Sequence, residues 1–214
     1  MLLAGHLQFA AYGLMAAVLW TVWRSPREWA VLLSVVWALG IGACFAAPQL
    51  VPVLDYGEFS HRRNDPTEEG YQAYIAGALQ PYHALGVAFP PLLGMPTEAV
   101  EIGPPESPER VSGYWPAFAQ RGGNFAESAV GVGPVAIALL FGLGMLFLRG
   151  SRWTGAVALG VLGVLLAFGS PLDRLLYFYA PGWSATGSPG RAGVLFVLAV
   201  CVLAGLVADT RPSN

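Results

Sequence analysis

The sequence predicts an all-α fold: a polytopic transmembrane helix bundle of about five spans, with a long outer loop carrying interfacial helices. Three observations predict it. Only 11% of the 214 residues are charged, while 55% are hydrophobic, and the mean hydropathy is +0.56. A water-facing domain carries about 25% charged residues, so this chain lacks the polar side chains to cover itself in water. Apolar runs near the length of a bilayer crossing, roughly 17–25 residues, recur along it. The two shortest connections between such runs, "RSPRE" and "RGSR", each hold two arginines.

The first span is expected from Leu7 to Trp23 and the second from Trp29 to Leu50. The third is expected from Ala129 to Leu148, the fourth from Trp153 to Phe168 and the fifth from Ala192 to Ala208. The fourth is short and extends at most into "GSPLDRLLYF". Glycine recurs in the last three; in lipid it lets helices approach closely, and we read it as packing rather than dimerisation. Residues 1–50 thus form two transmembrane helices, 51–128 an extracytoplasmic loop with amphipathic helices, and 129–214 three transmembrane helices.

Orientation follows from the arginines. Short loops with Arg stay on the cytoplasmic side. Arg24 and Arg27, then Arg149 and Arg152, fall on one side of an alternating count. The N-terminus and the loops Val51–Ser128 and Gly169–Arg191 then lie outside. An exported first residue, with no basic segment or start helix before it, is the pattern expected of an internal fragment.

Within the long loop, Glu68–Leu79 is expected to form a surface helix, broken afterwards by Pro81, Pro90 and Pro91. Tyr71, Tyr74, Tyr82 and Phe89 suit a headgroup zone, where a ring has one wet and one apolar side. "EIGPPESPERVSG" reads as a polar, proline-rich connector.

Composition also excludes classes of function. A net charge of -2 suits neither a nucleic-acid partner nor electrostatic recruitment to a membrane. Cys44 and Cys201 lie in apolar runs without ligand spacing, so neither a disulfide nor a metal site is expected. No Walker loop, GxGxxG, GxSxG or HExxH motif is present. No catalytic residue and no cofactor is assigned.

The residues that bear chemistry gather at the expected outer ends of spans. "DYGEFSHRR" places Asp55, Glu58, Ser60, His61 and Arg62 after the second. If helical, Asp55, Glu58 and Arg62 share a face. They read either as a solvated helix end or as a site for a headgroup or phosphate, which the planar fork of Arg62 fits. His6, Gln8 and Tyr12 sit at the outer end of the first span; polar groups there face a cavity, another helix or the interface. Glu127 and Ser128 in "NFAES" precede the third span, where they also suit helix capping. Arg191 in "SPGR" precedes the fifth, either snorkelling or adding an anion contact beside free helix N–H groups.

Four segments, "GHLQFAAYGLMAAVLWTVWR", "AAPQLVPVLDYGEFSHRR", "NFAESAVGVGPVAIALLFG" and the stretch from "LLAFGSPLDRLLYFYAPGW" onward, resemble in that order the YfhO family of bacterial membrane proteins, within the GT-C class of polytopic glycosyltransferases. The resemblance rests on Gly5, His6 and Gln8; on Pro48, Gln49, Leu50 and Pro52, taken as a turn; on Ser60 and Arg62; on Glu127; and on Pro181 to Arg191. It thins between Thr67 and Ser112. It implies a bacterial cytoplasmic-membrane enzyme that moves a sugar from a polyprenyl-phosphate donor to a cell-surface polymer on the outer face. Its implied substrate-binding residues are His6, Gln8, Glu58, Ser60, Arg62, Glu127 and Arg191. The class keeps its catalytic acid in a first outer loop, ahead of the point where this sequence starts, so Asp55 and Glu58 are not assigned that role. The alternative is a non-catalytic transporter or scaffold subunit, which calls for polar residues at mid-span.

The topology has a direct test. A cysteine introduced at Ser107 should react with an impermeant thiol reagent in intact cells. Protection at Ser107 with labelling at a cysteine placed at Gly150 would invert the orientation.

Overall fold

The structure is a computed structural model that describes residues 7–57, 59, 66–114, 125–139 and 153–209. It is mostly helical. Helix α1 spans Leu7–Arg24 and ends where Ser25 precedes Pro26, a position that disfavours helical backbone. Helix α2 begins at Trp29 and runs to Gly57. It passes the expected end at Leu50 without a break. Pro48 and Pro52, expected in a turn, lie inside it. Each removes one backbone donor, which helices in apolar surroundings tolerate when neighbours or local adjustments compensate. Asp55 therefore belongs to the last turn of a helix, and the shared face with Glu58 and Arg62 is not continued by a described helix past Gly57.

The loop that follows is more built than its composition implies. Helix α3, Glu68–Ile75, is capped by Thr67, whose Oγ1 accepts from the Gly70 amide at 3.1 Å. Glu68 and Glu69 in its first turn suit the helix dipole. It stops four residues short of the expected Leu79. Pro81 and Pro90 open short 3-10 turns, Pro81–Ala84 and Pro90–Leu93, on either side of a single turn of helix α4, Leu85–Ala88. Proline is at home in a first turn, where its missing N–H costs nothing.

The all-α expectation fails in one place. The supposed connector forms an antiparallel hairpin of β1, Ala99–Ile102, and β2, Glu109–Ser112. Val100 pairs with Val111 and Glu101 with Arg110. The β-branched residues at 100, 102 and 111 favour strands, and the prolines sit in the bend between them. Arg110 Nε donates to Glu101 Oε1 at 3.1 Å across the strands, an exposed pair of little energetic weight.

Short helices α5, Phe125–Ser128, and α6, Pro134–Leu139, follow. The expected third span is thus helical only from Pro134 among the described residues, and 140–148 lie outside them. Helix α7, Thr154–Ala167, and helix α8, Pro171–Tyr179, meet at a 79° bend, so "GSPLDRLLYF" turns aside rather than extending the fourth span. Gly169 makes the corner with φ +69, and a Cβ there would lie 2.6 Å from Ile75 Cδ1 of α3. Glycine alone meets both demands. Two further 3-10 turns, Trp183–Ala185 and Pro189–Ala192, lead into helix α9, Gly193–Asp209.

Two stretches, Trp29–Val53 and Pro189–Asp209, are long and apolar enough to cross a membrane. The bent pair α7–α8 makes a third if it is counted as one crossing. Trp37 and Phe45 on α2 are 71% and 78% exposed, an apolar surface of the kind that meets lipid or another protein.

The core lies where α1, α7 and α9 meet, around Tyr12, Ala16, Leu159, Leu166, Leu195 and Ala199, with Leu79 of the loop inserted beside them. The Leu79 amide donates to the Ala167 carbonyl at 2.8 Å, fastening the loop to the end of α7. α7 and α9 are the most closely packed helices. A Cβ on Gly163 would lie 2.6 Å from the Phe196 backbone nitrogen and 2.9 Å from Leu195 Cβ. Gly155, Gly160 and Gly163 of α7 therefore serve close helix packing.

Gly163→Ala forces backbone apart and should destabilise the detergent-solubilised chain by roughly 1–3 kcal/mol. Gly205 has open space around its Cα, so Gly205→Ala should leave stability unchanged or raised. Thermal melts of both variants check this; equal loss in the two would refute the close-packing account.

Candidate functional site

Gln8 stands one turn before Tyr12 on α1, so both point to one face. Its side chain is buried and uses its full hydrogen-bonding capacity. Oε1 accepts from Arg191 Nη1 at 2.8 Å and from the Gly187 amide at 3.3 Å. Nε2 donates to the Ser188 carbonyl at 2.9 Å and to the Tyr12 hydroxyl at 3.0 Å. An amide has two donors and two acceptor sites, and all four are engaged. Ser188 in turn donates through Oγ to the Gly77 carbonyl at 2.8 Å. One side chain thus ties the start of α1 to the 187–191 segment, which is tied to the end of α3.

Of the residues expected from sequence, Gln8 and Arg191 are in contact although 183 positions apart. Arg191 is turned inward onto Gln8 rather than outward to snorkel. Glu127 lies in α5. Beside it, Ser128 Oγ is 2.9 Å from the Tyr114 hydroxyl. His6, Glu58, Ser60 and Arg62 lie outside the described residues. Cys44 on α2 and Cys201 on α9 are both exposed.

A second polar group was not foreseen. Asp173, on the first turn of α8, is wholly buried. Ser170 caps this helix by accepting from the Leu172 amide at 3.3 Å, and Pro171 starts it, which places Asp173 near its N-terminus. Tyr74 of α3 donates to Asp173 Oδ1 at 3.1 Å, and Trp183 Nε1 donates to the Tyr74 oxygen at 3.2 Å. Asp173 Oδ2 has no hydrogen-bond partner among the described residues. Because α8 lies nearly at right angles to α7, this carboxyl stands past the bend that ends α7. Burial pushes it up to about 7 from an ordinary 3.8, with the Tyr74 hydrogen bond opposing. Burial raises Tyr74 too, and the nearby Asp173 carboxyl adds to it. In sequence, an acidic residue in the first turn of "SPLDRLLYFY" reads only as a helix-dipole partner.

Aromatic rings enclose the carboxyl. Tyr71 and Tyr74, assigned from sequence to the headgroup zone, are buried against Tyr177, with ring centroids 5.5 Å and 5.3 Å from it. Phe89 remains exposed. Tyr12 meets Trp183 edge-on at 6.0 Å, so the Gln8 cluster and the Asp173 cluster touch. Outside the rings, Arg174 and Glu68 form a bidentate pair at 2.8 and 2.7 Å, with Arg174 also over the Tyr71 ring. This arrangement can hold a proton on a buried carboxyl.

The chain matches no family model, no curated protein and no solved structure.

Asp173 carries a pH signature. The folded carboxyl keeps its proton between 3.8 and about 7, a window in which the unfolded one has lost it. The folded state then binds more protons, so stability falls as pH rises through this window, by at most roughly 4 kcal/mol, and levels off above it. Thermal midpoints of the detergent-solubilised chain should decline across that range, and Asp173→Asn should remove the decline. A flat profile in the unmodified chain would contradict a buried, unpaired carboxyl.

Proposed function

We propose that this chain is part of an integral-membrane glycosyltransferase, of about five spans, in a bacterial cytoplasmic membrane. It moves a sugar from a polyprenyl-phosphate donor to a hydroxyl of a surface polymer on the outer face. The observation that carries the reading is the contact between Gln8 and Arg191. Two residues that the YfhO resemblance assigns to substrate binding, far apart in sequence, meet at the joined ends of α1, α3 and α9. Two long apolar helices support the membrane location.

In this reading Arg62 grips the lipid phosphate, since a guanidinium donates to phosphate in pairs. Arg191, held by Gln8, adds positive charge, and His6, Glu58, Ser60 and Glu127 complete the wall. In the transfer, the bond from the anomeric carbon to the phosphate oxygen breaks. A bond from that carbon to the acceptor oxygen forms, and the acceptor hydroxyl releases its proton. Polyprenyl phosphate leaves with the electron pair. No residue is assigned as the base. A transporter is less well supported. The buried residues of α7 and α9 are all apolar, whereas transporters bind their cargo with polar groups near mid-span.

Decaprenyl phosphate should bind the purified chain saturably in native mass spectrometry. Arg62→Ala should weaken that binding at least about tenfold, the loss of one charge-assisted contact, and leave binding of a polysaccharide acceptor unchanged. Equal donor affinity in the variant would sink the role of Arg62, and no saturable binding would sink the whole reading.

A further inference from the structure

Helices α3 and α8 belong to the two loops that the arginine pattern places outside the membrane. An open groove of about 570 Å3 lies where Glu68 of α3 meets α8, a volume in the range of small-ligand sites. Its other lining residues among those described are Pro171, Arg174, Leu175, Phe178 and Tyr179. Leu175 and Tyr179 are one turn apart on α8, so they share a side of it, and they are 57% and 81% exposed. The Arg174 guanidinium is fixed in place. It lies 5.1 Å from the Tyr71 ring centroid and 5.3 Å from that of Phe178, and its Nη1 and Nη2 donate to the two Glu68 oxygens. Gln72 Nε2 donates to the same Glu68 Oε1 at 3.2 Å. The Arg174 hydrogen bonds hold the Glu68 carboxyl below its usual range, so it remains an acceptor.

The capacity left over defines the ligand. A guanidinium has five N–H donors; Glu68 takes two, and three remain. A carboxylate has about four acceptor positions; Arg174 and Gln72 use three, and one remains. The groove therefore offers donors and an acceptor side by side, without net charge, next to an exposed ring. An anion that approaches Arg174 is repelled by Glu68, and a cation meets the reverse. An apolar chain would desolvate the pair and give it no partner. A hydroxyl both donates and accepts, so it suits both members. A pyranose carries neighbouring hydroxyls along its edge and a patch of C–H groups on one face, and such a face packs flat on an aromatic ring. Because the pair is already held by Tyr71, Phe178 and Gln72, little side-chain freedom is lost when a sugar binds.

We propose that the α3–α8 groove binds an uncharged polysaccharide, with one pyranose stacked on Tyr179 and its hydroxyls spanning Arg174 and Glu68. As the acceptor contact of a glycosyltransferase it rests on the reading given above; as a glycan site it rests on α3 and α8 alone.

The test titrates the full chain, in phosphatidylglycerol nanodiscs, with maltohexaose, cellohexaose and mannohexaose, read by saturation-transfer NMR. At least one should bind saturably. Tyr179→Ala, at an exposed position, should weaken that binding about two- to tenfold, the worth of one ring contact, and Tyr179→Phe should retain it. Arg174→Lys keeps the charge but loses the planar fork, and should weaken binding by a similar factor. Saturable binding of none of the three, or equal affinity in Tyr179→Ala, would overturn the proposal. So would loss of glycan binding when phosphatidylethanolamine replaces phosphatidylglycerol, which would give the groove to a zwitterionic lipid headgroup. Decaprenyl phosphate binding, measured on the same samples, separates the two readings. Glycan binding lost while decaprenyl phosphate still binds overturns the groove alone, and the reverse overturns the glycosyltransferase reading and leaves the groove standing.

Discussion

The close approach of α7 and α9 is the constraint on which the rest of the structure depends. Gly163 has no side chain to hold off the backbone at Phe196, so the two helices pack more closely than larger residues allow. In apolar surroundings this matters more than burial does, because lipid tails solvate leucine as well as a neighbouring helix does. Once the pair is set, the end of α7 and the start of α9 lie side by side. The corner at Gly169, the Leu79 amide on the Ala167 carbonyl, and the 187–191 segment are all placed from that junction.

The polar groups then concentrate where the apolar packing ends. Gln8 engages all four of its hydrogen-bonding positions and joins its own helix to the 187–191 segment, and a buried polar group so fully met costs little and specifies much. Asp173 is the opposite case. Tyr74 donates to one oxygen, the other has no partner among the described residues, and burial favours the protonated form. The two clusters share the Tyr12–Trp183 contact, so packing in one is felt by the other. His83 repeats the pattern of Asp173: Gln80 meets Nδ1, while Nε2 is buried with no partner among the described residues.

Several features were legible before any coordinates. α1, α7 and α9 fall within a residue or two of their expected bounds, since runs of Leu, Val, Ala and Gly bounded by Arg–Ser–Pro or Gly–Ser–Pro leave the backbone little choice. Thr67 ahead of two glutamates marks the start of α3, and the glycines of α7 announce close packing. The readings that failed did so for identifiable reasons. Proline was taken as a turn signal at Pro48 and Pro52, but an apolar helix absorbs the lost donors. The hairpin was hidden because proline and glutamate dominate the composition of 99–112, while three β-branched residues at strand positions decide its backbone. The amphipathic rings of Tyr71 and Tyr74 suit an interface, but nothing local reveals that α8 lies against them.

The sequence by itself determined that this chain carries stretches long and apolar enough to cross a membrane, and the bounds of α1, α7 and α9. These are properties of composition and of periods within one segment. Only the tertiary structure decided that Gln8 meets Arg191, that Asp173 is buried beside Tyr74, and that His83 is buried. Those contacts join residues up to 183 positions apart, and they exist because α7, α9 and the loop converge at one level. No local preference of backbone or side chain encodes that convergence.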